Sequence, residues 1–164
     1  MQIYYPCFPY LLTQEIHDRR GRKQLFSEQE LWYLLFSMSK AQRQNHPNDY
    51  IIGDIRPSNI FLNEEGSVKI ANRDTWPYYK NKLEKALSNQ PTYLAPEELR
   101  SIADNGKDFV KLEQQGEAFA IGLTLLSLVN LADYEGLYNL HKMTFDQAAF
   151  NEALTQASLN QNYS

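Results

Sequence analysis

The run Ala118 to Leu131, AFAIGLTLLSLVNL, constrains the fold of this chain more than any other stretch. It is apolar nearly all round rather than along one stripe, so no face of it can be left to water. Its fourteen residues make about 21 Å of helix, too short for a bilayer core of roughly 30 Å. The run therefore predicts a core helix surrounded by other elements, with Glu117 in its first turn, where a carboxylate suits the helix dipole. With 164 residues, the chain suggests one domain that buries roughly 70% of its unfolded surface. Its 43% hydrophobic content is ordinary for a globular protein.

Other stretches predict the elements around that helix. Ser27-Glu28-Gln29-Glu30 is a Ser-x-x-Glu capping box. Leu31, Leu34, Leu35 and Met38 follow at i, i+3, i+4 and i+7, so a helix runs from Glu28 to about Arg43. Trp32 and Tyr33 lie off that stripe, free to cover a neighbour. A shorter helix is expected from about Leu11 to Arg19, followed by a solvated basic loop, Arg19 to Lys23. Lys80 to Leu87 predicts a short helix lying on the surface. Residues 100–116 read as polar and loop-like, with weak helical character near Phe109 to Leu112. Thr144-Phe145-Asp146-Gln147 reads as a second capping box, opening a helix to about Leu159 whose apolar face is Phe145, Ala149, Ala153, Leu154 and Ala157.

Extended structure is confined to short runs. Ile3 to Tyr5 suits an edge strand, since Pro6 follows at once. Tyr50-Ile51-Ile52 leads into a polar loop. Ile60-Phe61-Leu62 and Val68-Lys69-Ile70, joined across Asn63-Glu64-Glu65-Gly66, read as a hairpin. The fold class that results is mainly α with a small β-hairpin element, α+β. The loop before the hairpin, Gly53-Asp54-Ile55-Arg56-Pro57-Ser58-Asn59, places a carboxylate, a guanidinium and an amide within seven residues stiffened by Pro57. Polar groups held on a short rigid loop are what a phosphate or metal site needs.

Three motifs in order now carry a family resemblance. D-I-R-P-S-N-I-F-L, with E-G-S-V-K-I-A-N-R-D after it, resembles the catalytic and metal-binding loops of protein kinases, usually H-R-D-x-K-P-x-N and D-F-G. Pro91 to Leu99, with Ala95-Pro96-Glu97, resembles the A-P-E segment that closes a kinase activation loop. Glu117 to Leu126 resembles the start of the buried helix beyond it, where the family has D-x-W-S-x-G. The resemblance covers roughly Gln2 to Leu140 and implies part of a large C-terminal kinase lobe, with residues 141–164 as a final helix and polar tail. It implies that Asp54 stands where the substrate-orienting base belongs and Asn59 where a second metal ligand belongs. Glu117 falls where an acid receives backbone N–H groups of the catalytic loop.

The departures point away from catalysis. Ile52 and Gly53 replace the family's His and Arg, so an activation-loop phosphate has no arginine there to meet it. Arg56 replaces a Lys, which keeps the charge but not the geometry. The D-F-G position reads Asn72-Arg73-Asp74. Asn72 offers a neutral carbonyl oxygen to a hard cation that prefers charged ligands. An inward Arg73 cation at roughly 5 Å from a divalent ion would cost about 6–7 kcal/mol at an effective dielectric near 20. None of the seven glycines has a G-x-G-x-x-G spacing, and the chain begins at about the family's hinge. No metal at Asn59 and Asn72, and no ATP or Mg²⁺, is therefore expected.

Composition narrows the partners. A net charge of −4 argues against general nucleic-acid binding. One cysteine, Cys7, excludes an internal disulfide and suits a reducing compartment. His17, His46 and His141 lack ligand spacing. MQIYYPCFPY lacks the pattern of a signal peptide, and no membrane insertion is expected. By resemblance the first residues form the hinge strand. Tyr4, Tyr5, Phe8 and Tyr10 then either fold back on the core or form a docking surface for another chain. The expectation is an inactive kinase-like lobe acting as a structural subunit of a larger intracellular assembly, cytoplasmic or associated with cytoskeleton or organelles. A regulatory pseudokinase module and one half of a split kinase are the alternatives.

Overall fold

The computed structural model describes residues 8–45, 54–71, 82–88, 92–104 and 109–159. It is mainly helical with two small antiparallel sheets, an α+β architecture. Its axis is α5 (Phe109–Asn130), and the principal core gathers Ala120, Ile121, Leu123, Leu126 and Leu128 from that helix. At 22 residues it is longer than the apolar run alone. The polar stretch before it is rich in Lys, Glu, Gln and Leu, all good helix formers, and the helix simply continues through it. Within the stretch expected to be loop-like, α4 (Pro96–Ala103) extends to Ala103, and the weak helical character near Phe109 to Leu112 becomes the first turn of α5. Glu117 consequently lies inside a helix, buried, and not in a first turn where the dipole would explain it.

Helix α2 (Glu28–Asn45) packs against that axis, and helix α1 (Leu12–Arg22) packs on the turn Pro57–Asn59 and the strands beside it. Leu34 and Met38 of the expected stripe are buried in the principal core, beside Leu12 and Ile16 of α1. The capping box forms: the Ser27 backbone N–H donates to Glu30 at 2.7 Å and the Glu30 N–H to Ser27 Oγ at 3.3 Å. The basic cluster departs from expectation. Arg19, Arg20 and Arg22 sit in the last turn of α1, and only Lys23 leaves it, in the left-handed region at φ 54°. Two of the three have specific partners. Arg19 pairs with Glu15 (2.6 Å) and Glu30 (2.7 Å) and stacks over Phe26, while Arg20 Nε donates to Leu131 O. Cations near a helix C-terminus are also favoured by its dipole.

Strands β1 (Tyr10–Leu11), β2 (Ile60–Leu62) and β3 (Val68–Ile70) form one antiparallel sheet with β2 central. The expected hairpin has Ile60 opposite Ile70 and Leu62 opposite Val68. Gly66 closes its turn at φ 78°, a conformation that costs a residue with a Cβ. The second sheet is β4 (Tyr138–Asn139) with β5 (Thr144–Phe145). That pairing takes Thr144 into a strand, so it does not cap the last helix. Asp146 does: its carboxylate accepts the Ala149 N–H at 2.9 Å and opens α6 (Gln147–Ser158). Ala153 is the buried residue of α6 and belongs to the same core as α5; Leu154, expected on that face, is exposed. Phe119, Tyr138, Phe145 and Phe150 stack into an aromatic group beside it.

The short helix α3 (Lys82–Leu87) does not lie passively on the surface. Lys85 and Ala86 are buried. Ala86 packs into a second apolar cluster with Leu94, Leu99, Ile102 and Leu140.

Candidate functional site

The loop from Asp54 to Asn59 is positioned by its own sequence. Ile55 and Pro57 are buried, which pins two alternate residues of a short segment to the core. Pro57 opens a single 3-10 turn, Pro57–Asn59, and the Asn59 N–H donates to Arg56 O at 2.9 Å. The Ala71 N–H in turn donates to Asn59 O, so the end of β3 ties the loop to the hairpin. The result brings Asp54, Arg56 and Asn59 together around one carboxylate.

That carboxylate is fully buried: the exposure of Asp54 is 0%. Asn59 Nδ2 donates to Asp54 Oδ2 at 2.8 Å and to its backbone oxygen at 2.9 Å. Arg56 Nε donates to Oδ2 at 3.0 Å. Two donors come from beyond the loop, and no sequence motif marks either for this role. Lys85 Nζ of α3 meets Oδ2 at 2.5 Å, and Thr92 Oγ1 donates to Oδ1 at 3.0 Å. A buried carboxylate is tolerable only when ionic partners and hydrogen bonds replace its water, and here several converge. Nothing in the local pattern around Lys85 flags it, because its role depends on where a separate helix docks. Thr92 lies inside the quoted A-P-E segment, one residue before Tyr93, but no spacing rule assigns its hydroxyl to Asp54.

Arg56 also reaches outward, with Nη1 on Glu135 Oε1 at 2.5 Å. Burial raises the Glu135 carboxyl above its usual range, outweighing the Arg56 charge that lowers it. The segment after Thr92 is equally fixed. The Tyr93 hydroxyl lies 3.1 Å from Ser127 Oγ, and burial pushes the phenol well above its ordinary value, so it stays neutral. Tyr138 donates to Leu94 O at 2.8 Å. A cavity of about 370 Å³ is lined by Ser58, Tyr93, Asp133 and Glu135 among others, and Ser58 Oγ is buried with no hydrogen-bond partner among the described residues.

The remaining expected positions are spread around this centre. Pro96 opens α4 at its first turn and Glu97 is half-buried beside it. The fully buried acid of that helix is the next residue, Glu98, whose carboxylate accepts the Ala95 N–H at 2.7 Å. Glu117 is 1% exposed. Asn72, Arg73, Ile52 and Gly53 lie outside the described residues, as do Tyr4, Tyr5 and the expected strands Ile3–Tyr5 and Tyr50–Ile52. Phe8 is half-buried near Lys69, and Tyr10 is exposed. Larger exposed aromatics stand on α2: Trp32 at 62% and Phe36 at 66%, with Tyr33 between them. Trp32 and Tyr33 are largely open to water, and Trp32 Nε1 donates to Glu28 Oε1 at 3.1 Å. Among the described residues no three His, Cys, Asp or Glu side chains group as metal ligands, and no helix is long and apolar enough to cross a membrane.

With the geometry in place, the comparisons with known proteins point the same way as the motifs. No family model matches the chain. It is 30% identical over 118 residues to the membrane-associated tyrosine- and threonine-specific cdc2-inhibitory kinase wee-1.3 of Caenorhabditis elegans, covering 71% of this chain and 16% of that protein. The Caenorhabditis briggsae counterpart is 32% identical, with 71% and 17% covered. The serine/threonine-protein kinase GRIK2 of Arabidopsis thaliana is 23% identical over 161 residues, with 96% and 38% covered. The chain therefore has partial, low-identity similarity to protein kinases and spans less than two fifths of the length of these relatives.

Proposed function

We propose that this chain is a catalytically inactive, kinase-like C-terminal lobe that serves as a structural subunit of a larger intracellular protein assembly. The observation that carries the proposal is the state of Asp54. The residue in the position of the kinase base is fully buried, and Arg56, Asn59, Lys85 and Thr92 all donate to its carboxylate. A general base must come within hydrogen-bond reach of the proton it takes, and here the lone pairs are already engaged by the protein. Asn72 at the metal-loop position supports the same reading, since phosphoryl transfer relies on an Asp there to hold Mg²⁺. In this reading no ATP or metal is bound. Trp32, Tyr33 and Phe36 offer apolar area to neighbouring chains, while nucleic acid and the membrane interior are not partners.

The second reading, half of a split kinase, is favoured by one observation: Asp54, Arg56 and Asn59 remain assembled in a single site. A regulatory module that binds another kinase shares the first reading's geometry and differs in its partner. The deciding experiment is transfer of radiolabelled phosphate from MgATP, using the chain alone and the native assembly purified around it. Inactivity of both, with no nucleotide-dependent shift in Tm, supports the structural role. Transfer that disappears in Asp54→Ala overturns it in favour of the split kinase.

A further inference from the structure

We infer that the outer face of α2 pairs with the same face of a second copy of this chain, the two helices running antiparallel. The helix buries Leu34 and Met38, and the side turned away from Leu34 carries Glu28, Trp32, Phe36, Lys40 and Arg43. The middle of that side is aromatic. Trp32 and Phe36 stand one turn apart, largely open to water, with Tyr33 at their flank. Its ends carry opposite charge, Glu28 in the first turn and Lys40 and Arg43 toward the last. A row of exposed aromatics with a charged rim has the composition of an interface, not of an ordinary helix surface.

The order of those residues selects the occupant. Glu28 and Lys40 lie six residues on either side of Leu34, and Trp32 and Phe36 two residues on either side of it. A helix so arranged complements its own reverse. Laid antiparallel, each copy brings its acidic end beside the basic end of the other, and the same contact is made twice, as a twofold interface requires. A parallel pairing would instead set Lys40 and Arg43 beside their own copies and align the two helix dipoles. Among the described residues neither Lys40 nor Arg43 is in an ion pair. The rings also have space to enter. Beside Trp32 an apolar cavity of about 390 Å³ is lined by Leu31, Leu35, Leu125 and Val129, and beside Phe36 another of about 360 Å³ is lined by Ser39, Lys40 and Arg43. The antiparallel register offers the first to Phe36 of the second copy and the second to its Trp32. Trp32 is held in place beforehand by its bond to Glu28, and a ring fixed before contact costs less to order. One helix face per copy is a small contact, so the pairing belongs to the weak class that dissociates on dilution.

The inference rests on the reading of Trp32, Tyr33 and Phe36 as contact area for another chain and not on the inactivity of Asp54, because self-association and phosphate transfer are measured separately. The test is analytical ultracentrifugation of the whole chain from about 5 to 500 μM, across which the mass should climb from monomer toward dimer. Glu28→Lys should weaken association about tenfold to a hundredfold, and so should Lys40→Glu combined with Arg43→Glu, since each turns attracting pairs into repelling ones. An equimolar mixture of the two variants restores opposite charges at both ends and should dimerise about as well as the native chain. Phe36→Ser should remove dimerisation across the range, with circular dichroism showing unchanged helix content. A native chain that stays monomeric throughout overturns the inference and leaves the face to a different protein. Dimers that persist in Phe36→Ser overturn it by placing the contact elsewhere, and a mixture that stays monomeric overturns the antiparallel arrangement.

Discussion

Replacing Gly116 by alanine exchanges one hydrogen for a methyl group inside α5, a change that in most helix interiors adds about 1 kcal/mol of stability. Here it should do the reverse. A Cβ built at Gly116 would overlap the Glu98 carboxylate at its carbon and at both oxygens. Restoring an ordinary contact distance of ~3.5 Å requires the carboxylate to move by about 1 Å. Glu98 is fully buried and bonded to the Ala95 N–H, so that movement both strains a packed site and loosens the start of α4. Overpacking costs about 1–3 kcal/mol, and weakening a hydrogen bond to a charged group about 1.5–3 kcal/mol. Set against the helix-propensity gain, the net loss is about 1.5–5 kcal/mol. Gly122 provides the control in the same helix: it is exposed, and among the described residues nothing beyond its own stretch of helix lies within 4 Å of a Cβ there. Gly122→Ala should raise stability by up to about 1 kcal/mol. Urea unfolding followed by circular dichroism reads both as shifts in midpoint at constant slope. In a Glu98→Ala background the penalty at position 116 should vanish, which a double-mutant cycle isolates as coupling. A Gly116→Ala midpoint that rises as it does for Gly122→Ala would refute the close α4–α5 approach on which the reasoning depends.

Three further outcomes follow from the same contacts. The hydrogen bond from Arg19 holds the Glu30 carboxyl at about 2, with the Ser27 bonds adding to it against the opposing effect of burial. A folded-state value below the unfolded 4.5 means that this stability is present above pH 4.5 and lost as pH falls toward 2. Because the Glu30 side chain is 43% exposed, the weight of the pair is about 1 kcal/mol at neutral pH. The stability gap between the native chain and Glu30→Gln should close on acidification through that window; a gap that widens contradicts the pairing. Thr92→Val removes a donor from a fully buried carboxylate and should cost about 1.5–3 kcal/mol in urea unfolding; a neutral result would show that the bond does not form. Phe36→Ser, at a site exposed to water, should change stability by less than about 0.5 kcal/mol, and a larger loss would mean that the ring is covered within the chain.

Much of this architecture was legible locally. The hairpin, the Ser27 capping box and the stripe of α2 depend on neighbours a few residues apart, and all three form where the residues place them. The turn from Asp54 to Asn59 is set by Pro57 and by alternate burial of Ile55 and Pro57, so the sequence alone brought Asp54, Arg56 and Asn59 to one loop. Element ends were less legible, because they depend on competition. Thr144 has the side chain of a cap, but β4 claims its backbone, and the cap passes to Asp146. The basic residues after Asp18 look solvated until Glu15, Glu30, Phe26 and the Leu131 carbonyl are brought to them.

The sequence by itself determined a chain built on a buried helix, with a polar loop that resembles a kinase catalytic loop and carries one carboxylate, Asp54. Only the tertiary structure decided what that carboxylate does. Lys85, Thr92 and Glu135 come from positions 31, 38 and 81 residues beyond Asp54, and no periodicity links such distant positions. Their meeting follows from how α3 and the segment after Thr92 dock against the core, a long-range packing outcome that local propensities do not encode. The contact of Gly116 with Glu98 has the same origin: a glycine that looks like a weak point in a helix is the gap that lets a buried acid fit between α4 and α5.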